Sequence, residues 1–240
     1  MEAPLILSIE TSGKSGGVCL FKEKPLCSIS FGSRESYSKK LFSALEYLRD
    51  YENFSLGKLD FIVVDVGPGS FTGLRIGLSV VKAFCLESPE LKVIPVSSLE
   101  VLAGRFVGCP HELVCVINAY GGEVFIGIYH WEKDKLIPEL KPCLLKVEKA
   151  KELVKSIEKT AIFLSETPEL FRKYFKEVKK DLILPEELIS LSPEITAKIG
   201  YLKYRLYKEK AFVSASELRP LYLKASEAER KSGLLLTCLE

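Results

Sequence analysis

Between residues 61 and 87 the chain passes from an apolar run through a glycine-rich turn into an amphipathic segment, an order that few folds accommodate. Phe61-Ile62-Val63-Val64 is β-branched and aromatic and lies between turn-prone stretches, so it predicts a buried strand. Gly67-Pro68-Gly69 ends it. Ser70 is placed as an N-cap whose hydroxyl accepts from a first-turn N–H, and Leu74, Leu78, Val81 and Cys85 then recur along one helical face. The spacing predicts a helix from Ser70 to Glu87, and Pro89 bars much further extension.

Two uses of these glycines stand side by side. Free N–H groups and the positive end of the helix dipole, beside the Ser70 and Thr72 hydroxyls, would suit an anion or phosphate. The loop matches neither the Walker pattern nor a dinucleotide fingerprint. In the other use, Gly69, Gly73 and Gly77 recur every four residues and leave a bare stripe on the helix. Each helix-interior glycine costs about 0.8–1 kcal/mol relative to alanine, so Gly73 and Gly77 together need a compensation of about 2 kcal/mol. Close backbone packing supplies it, either against this chain's own sheet or against a helix of another subunit.

The chain has 240 residues, enough for a full core and for two modest domains. Lys plus Arg number 34 against 32 acidic residues, so any affinity for nucleic acid is local or supplied by a partner. Seven scattered cysteines without a C-x-x-C pair predict reduced, buried thiols in a cytoplasmic protein. With only His111 and His130 and no H-x-x-x-H, no metal is expected. No signal peptide is expected, and no apolar run approaches a membrane span. The absence of Gln and the scarcity of Asn resemble a thermophile's composition, against which the cysteines count.

Along the chain, residues 4–10, 17–21 and 26–31 predict an antiparallel meander. Ser36 to Asp50 follows as an amphipathic helix carrying Leu41, Leu45 and Leu48 on one face. After the strand at 61–66 and the glycine-stripe helix come a strand at 92–96 and a helix opened by a capping box, Ser97 with Glu100. These elements form one α/β lobe over residues 1–105. A second lobe over 106–240 repeats the order: strands at 112–117, 123–131 and 142–147, a helix at 150–159, a strand at 161–164, and helices at 168–178 and 193–208. No residue-level repeat accompanies it. The lysine-rich stretch from Lys141 to Lys180 is interleaved with glutamates and predicts a solvated face.

Chemistry has few places to sit. Glu10-Thr11-Ser12, at a strand end before a turn and a second strand, resembles the phosphate-binding hairpin of the actin, sugar kinase and Hsp70 superfamily; a self-capped strand end is the simpler reading. Asp65 and Glu123 are the other carboxylates at strand termini. His130 beside Trp131 predicts a strand residue, and Arg75 a surface ion pair. No nucleophile and base constellation can be assembled from two histidines.

Taken together, Leu5-Ile6-Leu7-Ser8-Ile9-Glu10-Thr11-Ser12 and the block from Gly67 to Gly77 resemble the TsaB (YeaZ-like) family of bacterial tRNA threonylcarbamoyladenosine synthesis. Val96-Ser97-Ser98-Leu99, Asn118-Ala119-Tyr120-Gly121-Gly122-Glu123-Val124-Phe125 and Arg219-Pro220-Leu221-Tyr222-Leu223-Lys224 match in the same order. The resemblance implies a two-lobed actin-like α/β fold with mixed sheets flanked by helices. It also implies a non-catalytic scaffold that pairs with a TsaD-like transferase, helps recruit a TsaE-like ATPase and forms a homodimer when alone, with indirect or weak tRNA contact, no membrane and no cofactor. The candidate interface is then Leu41, Leu45, Leu48, Gly69, Gly73, Gly77 and Val81. A degenerate phosphate site would use Glu10, Thr11, Ser12, Gly67, Ser70 and Thr72. Three positions depart from the family: Glu10 and Asn118 stand where Asp is commoner, and Tyr37 where His is frequent. The alternative is an ATP-binding phosphotransferase or hydrolase of the same superfamily, using Glu10, Thr11, Asp65 and Gly67. A peptidase is a third and weaker reading.

Overall fold

The computed structural model describes residues 3–32, 37–52, 54–185 and 189–223, so Ser36, Lys224 and Cys238 lie outside the described residues. Apolar alternation and buried runs organise the chain into two five-stranded mixed sheets. The first contains β1 (Ile6–Glu10), β2 (Ser15–Lys22), β3 (Lys24–Gly32), β4 (Phe61–Asp65) and β5 (Lys92–Val96), in the order β3-β2-β1-β4-β5. Helices α1 (Tyr37–Tyr51), α2 (Phe71–Glu87) and α3 (Ser98–Ala103) follow β3, β4 and β5. The second sheet contains β6 (Glu112–Tyr120), β7 (Glu123–Glu132), β8 (Lys135–Lys146), β9 (Ala161–Leu164) and β10 (Leu182–Ile183), in the order β10-β9-β6-β7-β8. Helix α4 (Val147–Lys155), the single turn α5 (Pro168–Leu170) and α6 (Pro193–Tyr207) occupy the rest of this half of the chain.

Both sheets have one topology. In each, three strands form an antiparallel meander, and two later strands add in parallel beside the first of the three. This repetition, in two mixed sheets flanked by helices, is the two-lobed actin-like arrangement. Because alternate residues of a strand face opposite sides, Leu7, Ile9, Ile62 and Val64 pack under α1 and α2, while Ile6, Phe61, Val63 and Ile94 face the other way. That second face meets α3, α6 and the Leu113, Cys115, Tyr129 and Trp131 face of the second sheet, which makes one continuous core. A third cluster joins the outer face of the second sheet to α4 and residues 170–178.

Several sequence expectations are corrected. The helix at 193–208 runs Pro193–Tyr207 under a Ser192 cap, but it packs on the first sheet rather than with the second lobe's own layers. The strand at 142–147 belongs to the much longer β8, since an edge strand tolerates Pro138 and Pro142. The helix expected at 150–159 starts three residues earlier and ends at Lys155. The helix at 168–178 is α5 followed by a π turn at Phe171–Phe175. The six described cysteines are free thiols, three of them buried. Burial and the nearby Glu194 charge push the Cys19 thiol up to about 12. Among the described residues no helix is long and apolar enough to cross a membrane.

Candidate functional site

Parallel pairing of β1, β4 and β5 brings three strand ends to one edge of the first sheet. Glu10 ends β1, Asp65 ends β4, and Ser97-Ser98 follow β5. Glu10, Thr11, Asp65, Ser98 and Thr196 have no exposed surface; the Thr11 Oγ1 has no hydrogen-bond partner, and the other four side chains find theirs within the protein. Ser12 Oγ lies 2.7 Å from Glu10 Oε1 and 2.9 Å from Asp65 Oδ2. Ser12 N also donates to Glu10 Oε1 at 2.8 Å. Asp65 Oδ1 accepts from Gly67 N at 2.6 Å and from Ser98 Oγ at 2.8 Å. Thr196 of α6 closes the far side, with Oγ1 3.1 Å from Glu10 Oε2.

Burial and then the charge of Asp65 hold the Glu10 carboxyl well above its usual range, and burial raises Asp65 as well. Both causes favour the protonated form of Glu10. The pair therefore links strand ends from inside the protein.

The glycine stripe points at the same place. A Cβ on Gly73 would overlap the Thr11 carbonyl oxygen, one on Gly77 the Thr11 hydroxyl, and one on Gly69 would reach Ser12 Cβ at 2.9 Å. Ser70 N donates to Ser12 O at 2.7 Å, and Ser70 Oγ accepts from Gly73 N at 3.2 Å, as its N-cap role requires. The first turn of α2 thus docks on the β1–β2 turn. Gly67, at φ +102°, takes a backbone conformation that favours glycine as the loop leaves β4 through a cis bond to Pro68.

Of the six phosphate-site candidates, only Ser12 and Ser70 line the adjoining cleft of about 540 Å³; Glu10, Thr11, Gly67 and Thr72 do not. Across it stand Asn118, Glu166 and Tyr222 from later segments, with Lys14 beside Ser12. Lys14 Nζ donates to the Glu166 carbonyl at 2.9 Å, and the Glu166 carboxylate accepts from Leu191 N at 3.0 Å and from Lys14 N at 3.2 Å. Glu166 and Thr196 had no signal in the sequence, since each enters only through tertiary contact, whereas Ser98 lay within the Val96–Leu99 block without a role assigned to it.

Six of the seven interface candidates also face inward, while Gly69 lines the cleft. Leu41, Leu45, Leu48 and Val81 are buried beneath their own helices, and Gly73 and Gly77 are buried against Thr11. Hydrophobic periodicity identified the buried face of each helix correctly, but that face covers the chain's own sheet. The outward faces carry Phe42 on α1 and Leu86 on α2, 53% and 83% exposed, and Tyr51 at the end of α1. Arg75, expected in an ion pair, stacks its guanidinium 3.8 Å over the Phe71 ring, which in turn packs on Tyr222. Asn118 holds the hairpin turn by accepting from Tyr120 N at 2.9 Å.

A family model described as TsaD: tRNA N6-adenosine threonylcarbamoyltransferase matches residues 33–231. A Bacillus subtilis protein named tRNA threonylcarbamoyladenosine biosynthesis protein TsaB is 27% identical over 228 residues, covering 94% of this chain and 96% of that protein. An Escherichia coli protein of the same name is 28% identical over 148 residues, 57% of this chain and 62% of its own length. Among solved structures, YeaZ from Pseudomonas aeruginosa superposes with a TM-score of 0.76 at 21% identity, covering 92% of this chain and all of that one.

Proposed function

Because the chain belongs to the TsaD family and, within it, to the TsaB (YeaZ-like) proteins, we propose that it serves tRNA threonylcarbamoyladenosine synthesis as a non-catalytic cytoplasmic subunit. In this reading it pairs with a TsaD-like transferase, helps recruit a TsaE-like ATPase and self-associates when alone. Catalysis then resides in the transferase. The observation that carries the reading is the docking of α2 on the β1–β2 turn: Ser70 N is bound to Ser12 O, and Gly73 lies against the Thr11 carbonyl. Glu10 and Thr11, at the strand end that would face a metal-bound phosphate in an active relative of this fold, are here fully buried, while Ser12 and Ser70 line the cleft. The exposed apolar side chains Phe42 and Leu86 supply outward contact area on α1 and α2.

A second reading, an ATP-binding phosphotransferase or hydrolase, is favoured by the cleft of about 540 Å³ with Lys14 at its edge. The two separate in one pair of measurements. The purified chain is incubated with magnesium and ATP, and separately mixed with a TsaD-like partner from the same source and run on a sizing column. The proposal expects no phosphate release and a co-eluting complex. Turnover by the chain alone, or separate elution at concentrations well above micromolar, overturns it.

A further inference from the structure

At one end of the second sheet, residues from three adjacent strands meet on the face shared with α4. Leu113 pairs with Tyr129, so Glu112 and His130 sit side by side one step beyond. Tyr129 pairs with Pro138 but Ile128 with Leu140, which leaves Glu139 as the extra residue of a bulge in β8. A bulge re-aims its side chain, and the Glu139 carboxylate reaches His130. One ligand atom from each of Glu112, His130 and Glu139 lies within 4.8 Å of the others.

Unpartnered atoms point to a ligand there. Glu112 is only 7% exposed, yet its Oε2 has no hydrogen-bond partner, while Oε1 is 3.5 Å from Lys159 Nζ. His130 Nδ1 lies 2.9 Å from Glu139 Oε1, but at an angle that makes no hydrogen bond. Its Nε2 is 3.3 Å from Glu132 Oε1. A carboxylate on one ring nitrogen fixes the tautomer that leaves the other free to ligate. A buried, desolvated carboxylate oxygen without a partner is costly, and a cation shared with the imidazole and the second carboxylate satisfies it.

We propose that Glu112, His130 and Glu139 form a binding site for a divalent transition-metal ion of zinc type, oriented by Glu132. One imidazole and two carboxylates suit zinc, with the remaining position left to water, whereas magnesium and calcium favour all-oxygen shells. Such an ion ties the edge strand β8 to β7 and β6 across the bulge and offsets the two carboxylate charges.

The test uses the full chain after chelator treatment, titrated with zinc chloride by calorimetry and with cobalt chloride by absorption spectroscopy. A single equivalent of zinc is expected, with a melting temperature that rises with zinc concentration. Glu139→Gln, at an exposed position, is expected to weaken binding at least tenfold, and Glu132→Gln about tenfold through loss of ring orientation. Cobalt is expected to give only the weak bands of nitrogen and oxygen ligands. Failure of zinc to bind stoichiometrically, undiminished binding in both variants, or an intense thiolate-to-cobalt band that places the ion on cysteines overturns the proposal.

Discussion

Replacing Gly73 with alanine separates an inward-packed glycine stripe from a partner-facing one. Helix propensity alone predicts a gain of about 1 kcal/mol. The added Cβ, however, falls well inside 3.0 Å of the Thr11 carbonyl oxygen, which is backbone and cannot swing aside. Relief requires α2 to move by about 1 Å, which carries the 2.7 Å Ser70 N to Ser12 O bond past hydrogen-bonding range. Overpacking strain of about 1–3 kcal/mol and a lost bond of about 1 kcal/mol, less the propensity gain, leave a net destabilisation of about 1–3 kcal/mol. For a chain of this size a 2 kcal/mol loss lowers the melting temperature by roughly 4–8 °C. Urea unfolding followed by Trp131 fluorescence measures it directly, because Trp131 is the single tryptophan and is buried in the core between the sheets. A Gly73→Ala protein as stable as the wild type, yet unable to pair with its partner, would refute the inward reading.

Glu10→Gln tests the proton on Glu10. Burial and Asp65 raise Glu10 above its ordinary 4.5, so the native state keeps a proton that the unfolded chain releases. This contribution is complete below the unfolded value and is lost as pH rises toward the native one. The variant should therefore gain stability relative to wild type as pH rises above the unfolded carboxyl's range, and parallel pH profiles would contradict it. Glu166→Ala removes the acceptor of the buried Leu191 N–H, 2% exposed at that residue, and should cost about 1–3 kcal/mol in urea unfolding; a loss under about 0.5 kcal/mol would show that water replaces it. Leu86→Glu, on an 83% exposed side chain, should leave the melting temperature unchanged while weakening association with a TsaD-like partner in calorimetry; unchanged affinity would remove that side chain from the interface.

What could be read in the sequence was what local chemistry determines. The strand ending at Asp65, the Ser70 cap, the length of α2 and the Ser97–Glu100 capping box all follow from neighbours within four residues, and each is present as expected. The strands-then-helices order of both halves was visible as well. The sense of the glycine stripe was not, because a bare helix face has the same sequence whether a sheet or another subunit covers it. Thr196 reaches Glu10 from 186 residues away, and no local pattern encodes that. The strand expected at 142–147 covers only the last part of β8, Lys135–Lys146, whose earlier residues alternate too weakly between apolar and polar to mark an edge strand with Pro138 in it. The grouping of Glu112, His130 and Glu139 depends on the strand register and on a bulge, both fixed by tertiary pairing.

The central claim is that this chain is required for threonylcarbamoyl transfer without performing it. Reconstituting the transfer to tRNA with TsaD-like and TsaE-like proteins from the same source, and omitting each component in turn, measures that most directly. Activity is expected to disappear when this chain is left out, and the chain alone is expected to turn over neither ATP nor the threonylcarbamoyl donor. Full activity in its absence, or turnover by the isolated chain, would contradict it.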